Sequence, residues 1–141
     1  MLVLVLHLHL VMTLPQIISS CEIKDIAAMV VVRVLAHFPK RNEIVIDGGW
    51  MALSEQGFDK LGGTFAYVKG HPELQVYKMT QEVGYIRSSD KNKELEFDKL
   101  PVGSVLYLYQ YHSCQYASRF PTYHVHENGI IIDEWKPAKF W

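Results

Sequence analysis

His112 and Cys114 are two side chains whose types and spacing could bind a metal ion. In an extended strand, residues i and i+2 point to the same face, so these two donors could reach one cation. Zn²⁺ takes an imidazole nitrogen at about 2.0 Å and a thiolate at about 2.3 Å. Protein ligands fill a structural zinc site, whereas a catalytic site keeps a position open. The pair therefore predicts an open, catalytic type of site. The alternative is a strand-end histidine beside a small buried cysteine, without metal.

The segment that would position these donors is 105–112, which alternates as a β-strand does. One face carries the tyrosines at 107, 109 and 111, and the other carries Leu106, Leu108, Gln110 and His112. The second face begins apolar and ends polar. It therefore predicts a strand that leads from a core to a cleft, with His112 at the cleft.

Asn128-Gly129 lies between β-forming residues and predicts a tight hairpin over 123–135. With these two residues as the turn, we expect Val125 opposite Ile132 and His124 opposite Asp133. His124 and His126 share a face and form a rival i, i+2 pair for a metal. Solvated histidines beside a surface turn are the alternative interpretation.

The remaining sequence has mainly the two-residue period of strands. Further strands are expected at 28–37, 43–47, 74–79 and 84–88. A turn is expected at 38–42, a loop or one helical turn at 51–61, a glycine-rich segment at 62–72 and a solvated loop at 89–96. The fold class predicted is all-β, mostly antiparallel, with one or two short helical turns. The pattern alone does not choose a barrel over a sandwich.

Composition indicates one globular domain and excludes several classes. The chain has 141 residues, of which 49% are hydrophobic and 21% charged, and a net charge of −1. This balance argues against disorder and gives no basic footprint for nucleic acid. Two cysteines, Cys21 and Cys114, cannot build a disulfide framework, so the chain suits a reducing, cytoplasmic compartment.

Residues 1–17 form an apolar leader. The run is too short for a transmembrane segment, so none is expected. A signal peptide over 1–20 is one interpretation, since Pro15 and small residues follow the run, and Ile18-Ser19-Ser20-Cys21 looks like a lipoprotein cleavage box. Against it, the first basic residue is Lys24. The alternative is a first strand of the fold.

Three blocks together resemble the C-terminal domain of the D-serine dehydratase and D-threonine aldolase family of pyridoxal phosphate enzymes, over about residues 18–141. The blocks are Ser20-Cys21 with Asp25-Ile26-Ala27 and the segment 44–54 around Asp47-Gly48-Gly49, then Gly70-His71-Pro72-Glu73-Leu74 with Gln81-Glu82-Val83-Gly84, and finally the segment from Leu100-Pro101-Val102-Gly103 through His112-Ser113-Cys114 to Asp133-Glu134-Trp135-Lys136-Pro137. The resemblance implies a barrel-like β-domain.

The resemblance also implies a zinc ion on His112 and Cys114 that helps the hydroxyl of D-serine to leave. In the family, pyridoxal phosphate is held by a (β/α)₈ barrel of about 250 residues, for which this chain has no room. We therefore expect the cofactor only through a missing or partner barrel domain, or a homodimer partner. No catalytic or pyridoxal-phosphate-binding residue is assigned to this chain, which should be inactive alone.

The sequence departs from the family at three places near the expected site. Gln110-Tyr111 stands where the family usually has Pro-Asn, and Val83 and Phe120 stand where histidines are common. The lost imidazoles leave other interpretations open. The chain could be a non-catalytic relic or interaction module that keeps the β-fold, or, from its leader, a secreted β-module.

Overall fold

The computed structural model describes residues 2–5 and 26–138. Within them lie nine strands, a one-turn helix and two short 3₁₀ turns. The elements are β1 (Leu2–Val5), β2 (Ala28–Phe38), a 3₁₀ turn (Pro39–Arg41), β3 (Glu43–Ile46), β4 (Ala66–Val68), β5 (His71–Met79), β6 (Gly84–Ser88), a 3₁₀ turn (Phe97–Lys99), β7 (Val105–Gln110), α1 (Ser113–Ala117), β8 (Tyr123–Glu127) and β9 (Ile130–Trp135).

Six of the strands close into a barrel, in the order β3-β6-β5-β4-β7-β2 with β2 pairing back onto β3. Every pairing within this ring is antiparallel. The long strand β2 closes the ring because its residues 30–33 pair with β7 and its residues 34–38 pair with β3. The predicted all-β, mostly antiparallel, barrel-like fold is confirmed.

The other three strands extend the sheet from the barrel. β1 pairs antiparallel with β2 and parallel with β8, and β9 forms the outer edge of the described sheet. Of the predicted leader, only residues 2–5 are described, and they form this first strand. The signal peptide over 1–20 and Cys21 otherwise fall outside the described residues. No helix in the described ranges is long and apolar enough to cross a membrane.

Alternating apolar residues from the barrel strands fill the interior. The fully buried positions include Val30, Val34, Ile44, Ile46, Val76, Ile86 and Leu108. Burial of each such side chain contributes about 1.5–3 kcal/mol, so the two-residue period that predicts the strands also supplies the driving force for the barrel.

A second, smaller apolar cluster lies on the outer face of the barrel. Tyr109 and Tyr111 pack there with Ile26, Met29 and Leu61. Because Leu61 belongs to the long connection between β3 and β4, this cluster holds that connection against the barrel wall. The connection carries the residues that surround His112.

Two local details differ from the sequence analysis. The sequence marks 62–72 only as a glycine-rich segment, whereas β4 lies within it and pairs with β7 and β5. It also predicts that the strand continues to His112, whereas β7 ends at Gln110 and α1 follows it. The hairpin turn, by contrast, forms as predicted. Asn128 and Gly129 have φ of 50° and 84°, as this turn requires.

The hairpin pairs differ from the prediction beyond the turn. A register shift between Val125 and His126 places Val125 opposite Asp133 and His124 opposite Glu134. The predicted pairs Val125 with Ile132 and His124 with Asp133 are therefore wrong, because a bulge adds one residue on β9.

Candidate metal centre

His112 and Cys114 lie at the junction between β7 and α1. His112 is extended, with φ −130° and ψ 99°, and caps the helix, whereas Cys114 is in the first turn of the helix. The prediction that one extended strand presents both donors is therefore wrong. His112 is half-buried and Cys114 is exposed with a free thiol. A junction at the rim of the barrel still leaves both donors open to a cation from solvent.

His112 is oriented by Gln56. The Nδ1 atom of His112 lies 2.5 Å from the Oε1 atom of Gln56. An amide oxygen only accepts hydrogen bonds, so this contact places the imidazole proton on Nδ1. The lone pair of the neutral ring is then on Nε2, which is available to a metal ion.

Ser54 hydrogen-bonds to residues that precede and follow His112 and Cys114 in the sequence. Ser54 is fully buried. Its backbone N–H donates to Oε1 of Gln110 at 3.1 Å, and its hydroxyl donates to Oε1 of Gln115. The same hydroxyl accepts the backbone N–H of Gln56 at 3.1 Å. One serine thus links the end of β7, the helix α1 and the residue that orients His112.

Gln110 presents a buried donor in this network. The residue is 1% exposed, and its Nε2 atom has no hydrogen-bond partner among residues 2–5 and 26–138. An unpaired buried N–H costs about 1–3 kcal/mol. Gln110 lies two positions before His112, at the end of β7.

Gly57 brings the Gln56 backbone close to the strand end. Its φ is +86°, and a Cβ atom there would lie 2.2 Å from the ring of Tyr111. Only glycine fits both the left-handed backbone and this close approach. The contact between Gly57 and Tyr111 therefore sits beside the hydrogen bond between Gln56 and His112, and fixes the same two segments.

Contacts of Tyr116 and Arg119 hold helix α1 and the residues that follow it in place. Tyr116 is buried, and its hydroxyl donates to the carbonyl of Ala28 at 3.1 Å. Burial, with a smaller contribution from Cys114, raises the pKa of Tyr116. Arg119 donates to the carbonyls of Trp50 and Leu53. These contacts hold the loop that carries Ser54 and Gln56 against the helix that carries Cys114.

The rival pair His124 and His126 lies apart on β8. His124 Nδ1 lies 3.1 Å from Glu134 Oε1 on the neighbouring strand β9, a contact that is an ion pair only when the imidazole is protonated. Within the described ranges, no group of three or more His, Cys, Asp or Glu side chains is arranged to hold a metal.

Asp47 accepts the backbone N–H of Arg33 at 2.6 Å, so its carboxylate is structural.

Sequence reasoning does not assign roles to Ser54, Gln56 or Gln115. The contact between Gln56 and His112 spans 56 positions of sequence, and the loop around Gln56 has no periodic signal. Gly57, which follows Gln56, predicts a sharp turn, but the sequence does not show which residues this turn contacts.

Comparison with known proteins places these features in a family. The sequence model of the serine dehydratase domain matches residues 27–126. The chain is similar to the D-serine dehydratase of Dictyostelium discoideum, with 32% identity over 131 residues, covering 88% of this chain and 33% of that protein. D-threo-3-hydroxyaspartate dehydratase of Delftia sp. strain HT23 is 25% identical over 133 residues, covering 88% of this chain and 35% of that protein. The chain spans about a third of the length of these curated relatives.

Solved structures agree on the fold. The Delftia dehydratase matches with a TM-score of 0.78 and 24% identity, covering 86% of this chain and 35% of that one. An alanine racemase-like protein from Idiomarina loihiensis matches with a TM-score of 0.72 and 30% identity, covering 86% and 34%. Two further structures of D-threo-3-hydroxyaspartate dehydratase are a histidine-to-alanine mutant and a cysteine-to-alanine mutant in the metal-free form.

Proposed function

This chain belongs to the serine dehydratase domain family, and we propose that it is the metal-holding β-barrel domain of a pyridoxal-phosphate-dependent dehydratase of D-3-hydroxy amino acids. The observation that carries the proposal is the hydrogen bond from His112 Nδ1 to Gln56 Oε1. Metal-binding histidines commonly donate their second ring N–H in this way, which fixes the ring and raises the basicity of the ligating nitrogen.

The donor set fits zinc. An imidazole nitrogen and a thiolate are ordinary zinc ligands, and two protein ligands leave positions for substrate or solvent. The histidine and cysteine replaced in the two mutants of D-threo-3-hydroxyaspartate dehydratase are separated by one residue, as His112 and Cys114 are here. The structure of that cysteine mutant is of a metal-free form. These points support His112 and Cys114 as the zinc ligands.

A bound zinc would act as a Lewis acid on the substrate hydroxyl, which is a poor leaving group near neutral pH. The chain's own residues have separate tasks. His112 and Cys114 hold the ion, and Gln56 keeps the proton of His112 away from the ligating nitrogen. Ser54 keeps Gln56 in place through its hydroxyl.

The proposed function requires a catalytic barrel from outside these 141 residues. The chain spans about a third of its relatives' length, and the family resemblance implies that the lysine that forms the Schiff base lies on the barrel. We propose that a barrel domain, in a longer chain or a partner subunit, supplies pyridoxal phosphate, and that the 141 residues alone are inactive.

A non-catalytic interaction module is the second candidate. Val83 and Phe120 stand where the family resemblance leads us to expect histidines, and Phe120 packs against the apolar core. A phenylalanine packed in this way contributes to stability, but it can neither transfer a proton nor bind a metal ion. This candidate keeps the fold and does not require zinc.

Zinc binding by the purified chain separates the two candidates. We expect about one zinc per chain at neutral pH, and a large loss of affinity in both His112→Ala and Cys114→Ala. His124→Ala serves as the matched control, because it removes an imidazole from the rival pair and should leave zinc content unchanged. A wild-type chain that stays metal-free in excess zinc would rule out the metal-holding function.

Activity is then tested with a barrel supplied. The chain would be co-expressed with a family barrel domain and assayed for D-serine-dependent release of pyruvate and ammonia. We expect activity that depends on both partners and falls in Cys114→Ala. If both partners are folded and associated yet silent with D-serine and other D-3-hydroxy amino acids, the interaction module is favoured.

A further inference from the structure

The outer surface of the barrel over β3, β6 and β5 carries three cationic side chains, Arg41, Lys78 and Arg87, which we call the cationic face. Along β6 buried residues alternate with half-buried ones, so Tyr85 and Arg87 both point outward. Lys78 of β5 pairs across the sheet with Tyr85, and Arg41 directly precedes β3. The three cations therefore come from neighbouring strands and lie on one surface.

Each cation is held over an aromatic ring. The distances to the ring centres are 4.9 Å from Nζ of Lys78 to Tyr85, 4.4 Å from Cζ of Arg87 to Tyr77 and 4.2 Å from Cζ of Arg41 to Phe38. All three are within the distance of about 6 Å at which a ring attracts a cation. Unlike a carboxylate, a ring positions the cation without cancelling its charge.

A β-bulge in β5 makes this arrangement possible. The register between β5 and β6 shifts between Val76 and Lys78. Tyr77 and Lys78 are adjacent in sequence, yet they contact Arg87 and Tyr85, which share the outer side of β6. In a regular strand, adjacent side chains point to opposite faces. The bulge thus brings both residues to the cationic face, and bulges often redirect side chains next to functional sites.

A single carboxylate, Glu43, lies between these cations. Its Oε2 atom is 2.9 Å from Nε of Arg41, and its Oε1 atom accepts the hydroxyl of Tyr77. Both carboxylate oxygens are therefore engaged. Among residues 2–5 and 26–138, neither Lys78 nor Arg87 belongs to an ion pair. Three cations and one carboxylate give this surface a net charge of +2, on a chain whose net charge is −1.

The cations are open to a ligand from solvent. Arg41 and Lys78 are exposed, and Arg87 is half-buried. The Nε atom of Arg87 is buried and has no hydrogen-bond partner in the described part of the chain, so its terminal nitrogens are the donors left for a ligand. A guanidinium that stacks on a ring uses its faces and keeps its N–H edges for a carboxylate.

We propose that the cationic face binds an extended acidic segment of a partner protein, with carboxylates at alternate positions bound by Lys78 and Arg87. Tyr85, which seats Lys78, and Arg87 are two positions apart on β6, or about 7 Å. Alternate side chains of an extended segment have the same spacing and share a face. Cations that are already positioned lose less conformational entropy on binding.

A protein partner fits this surface better than a nucleic acid. Nucleic-acid-binding proteins commonly neutralise about 6–10 phosphates, whereas this face offers three cations. The proposed contacts use neither zinc nor pyridoxal phosphate. Binding here therefore does not depend on the function proposed for His112 and Cys114.

Titration of the full 141-residue chain with a synthetic peptide of alternating glutamate and serine, followed by NMR, tests the proposal. We expect saturable shifts of the Lys78 and Arg87 amides at low salt. The affinity should fall as salt is added, because exposed charges are screened. A peptide of alternating glutamine and serine has the same length and no charge, and should not bind.

Variants assign the contacts. Arg87→Gln and Lys78→Met should each weaken peptide binding about two- to fivefold, as expected for exposed ion pairs, and the double variant should weaken it about tenfold. Arg33→Gln and Lys60→Met remove exposed cations outside the cationic face and should bind as the wild type does. Dispersed amide spectra would establish that each variant is folded.

Three results would overturn the proposal. They are the absence of saturable shifts with millimolar glutamate peptide at low salt, an unchanged affinity in the double variant, and tighter binding of a single-stranded RNA oligonucleotide than of the peptide. A chain that binds the peptide but never takes up zinc would uphold the cationic face while rejecting the metal-holding function.

Discussion

At the scale of single residues, Gln56 determines which ring nitrogen of His112 is available. Its amide oxygen accepts a hydrogen bond from the Nδ1–H group, so Nε2 keeps its lone pair for a metal. Loss of such an outer partner typically lowers metal affinity about 10–100-fold. We expect Gln56→Ala to weaken zinc binding by about that factor, measured by competition with a chromophoric chelator.

Two variants make this prediction specific. Gln56→Glu keeps an oxygen acceptor at the same place and should restore most of the affinity. Gln81→Ala removes an exposed glutamine elsewhere and should change nothing. Equal affinities in wild type and Gln56→Ala would show that the contact with His112 does not prepare the ligand.

A second residue-scale prediction concerns Tyr77, whose hydroxyl donates to Glu43. Burial, and then the hydrogen bond and charge of Glu43, raise the pKa of Tyr77 to about 12. An unfolded tyrosine has a pKa of about 10, so the folded chain keeps a proton that the unfolded chain releases. The stabilisation is complete below about pH 10 and is lost as the pH rises towards 12.

Urea unfolding at a series of pH values measures this effect. We expect the free energy of unfolding to fall between about pH 10 and 12, and to fall less steeply in Tyr77→Phe, which has no phenolic proton. Burial also raises the pKa values of Tyr109 and Tyr123, so part of the slope should remain. An identical slope in wild type and Tyr77→Phe would contradict the assignment to Tyr77.

At the scale of elements, Asn42 joins the β2–β3 turn to the long loop before β7. Its two side-chain hydrogen bonds to Lys93 and Leu95 should contribute about 0.5–1.5 kcal/mol each. Asn42→Gly keeps the left-handed backbone available and removes only the side chain. We expect it to lower the free energy of unfolding by about 1–3 kcal/mol.

Asn42→Ala separates the backbone from the side chain. Alanine loses the same two bonds and also resists a φ of 53°, so it should be the less stable of the two variants by up to about 1–2 kcal/mol. Hydrogen exchange should show faster exchange of the Leu95 amide in both. Stability equal to wild type in Asn42→Gly would mean that the loop is held by other contacts.

The sequence predicts some secondary-structure elements and misses others. β2 and β3 follow from short apolar runs, whereas β6 and most of β7 follow from alternating residues with one buried face. β4 is only three residues long and lies among glycines, so its place is set by pairing with β5 and β7. α1 has a single turn, too short for a helical period to register. The hairpin turn follows from Asn128-Gly129, whereas the bulge beside Val125 is a property of two strands together.

The candidate site divides in the same way. His112 and Cys114 are visible in the sequence because their types and spacing are unusual. Gln56 and Ser54 are not, because their roles arise from contacts across 56 positions and from the outer apolar cluster that presses the loop onto the barrel. Local sequence can thus suggest candidate ligands, while the groups that would orient them depend on tertiary packing.

At the scale of the whole molecule, β9 exposes several large apolar side chains to solvent. Ile130, Ile131 and Ile132 are consecutive and exposed, and Trp135 follows them. Successive strand residues point to opposite faces, so both faces of β9 are apolar. The strand is also the outer edge of the described sheet. Exposed apolar edge strands favour association with another chain or domain.

We therefore expect the purified chain to bind a hydrophobic dye and to self-associate as its concentration rises, as measured by sedimentation velocity. Ile131→Lys should reduce both effects with little loss of stability, because the side chain is already exposed. Val102→Lys is the matched control, since it places the same charge at an exposed apolar position in a turn before β7 and should leave association unchanged. Addition of an associating barrel domain should suppress dye binding if it covers β9. A wild-type chain that is monomeric at every concentration and binds no dye would show that β9 is not an association surface, because its apolar side chains would then be tolerated in water without a partner.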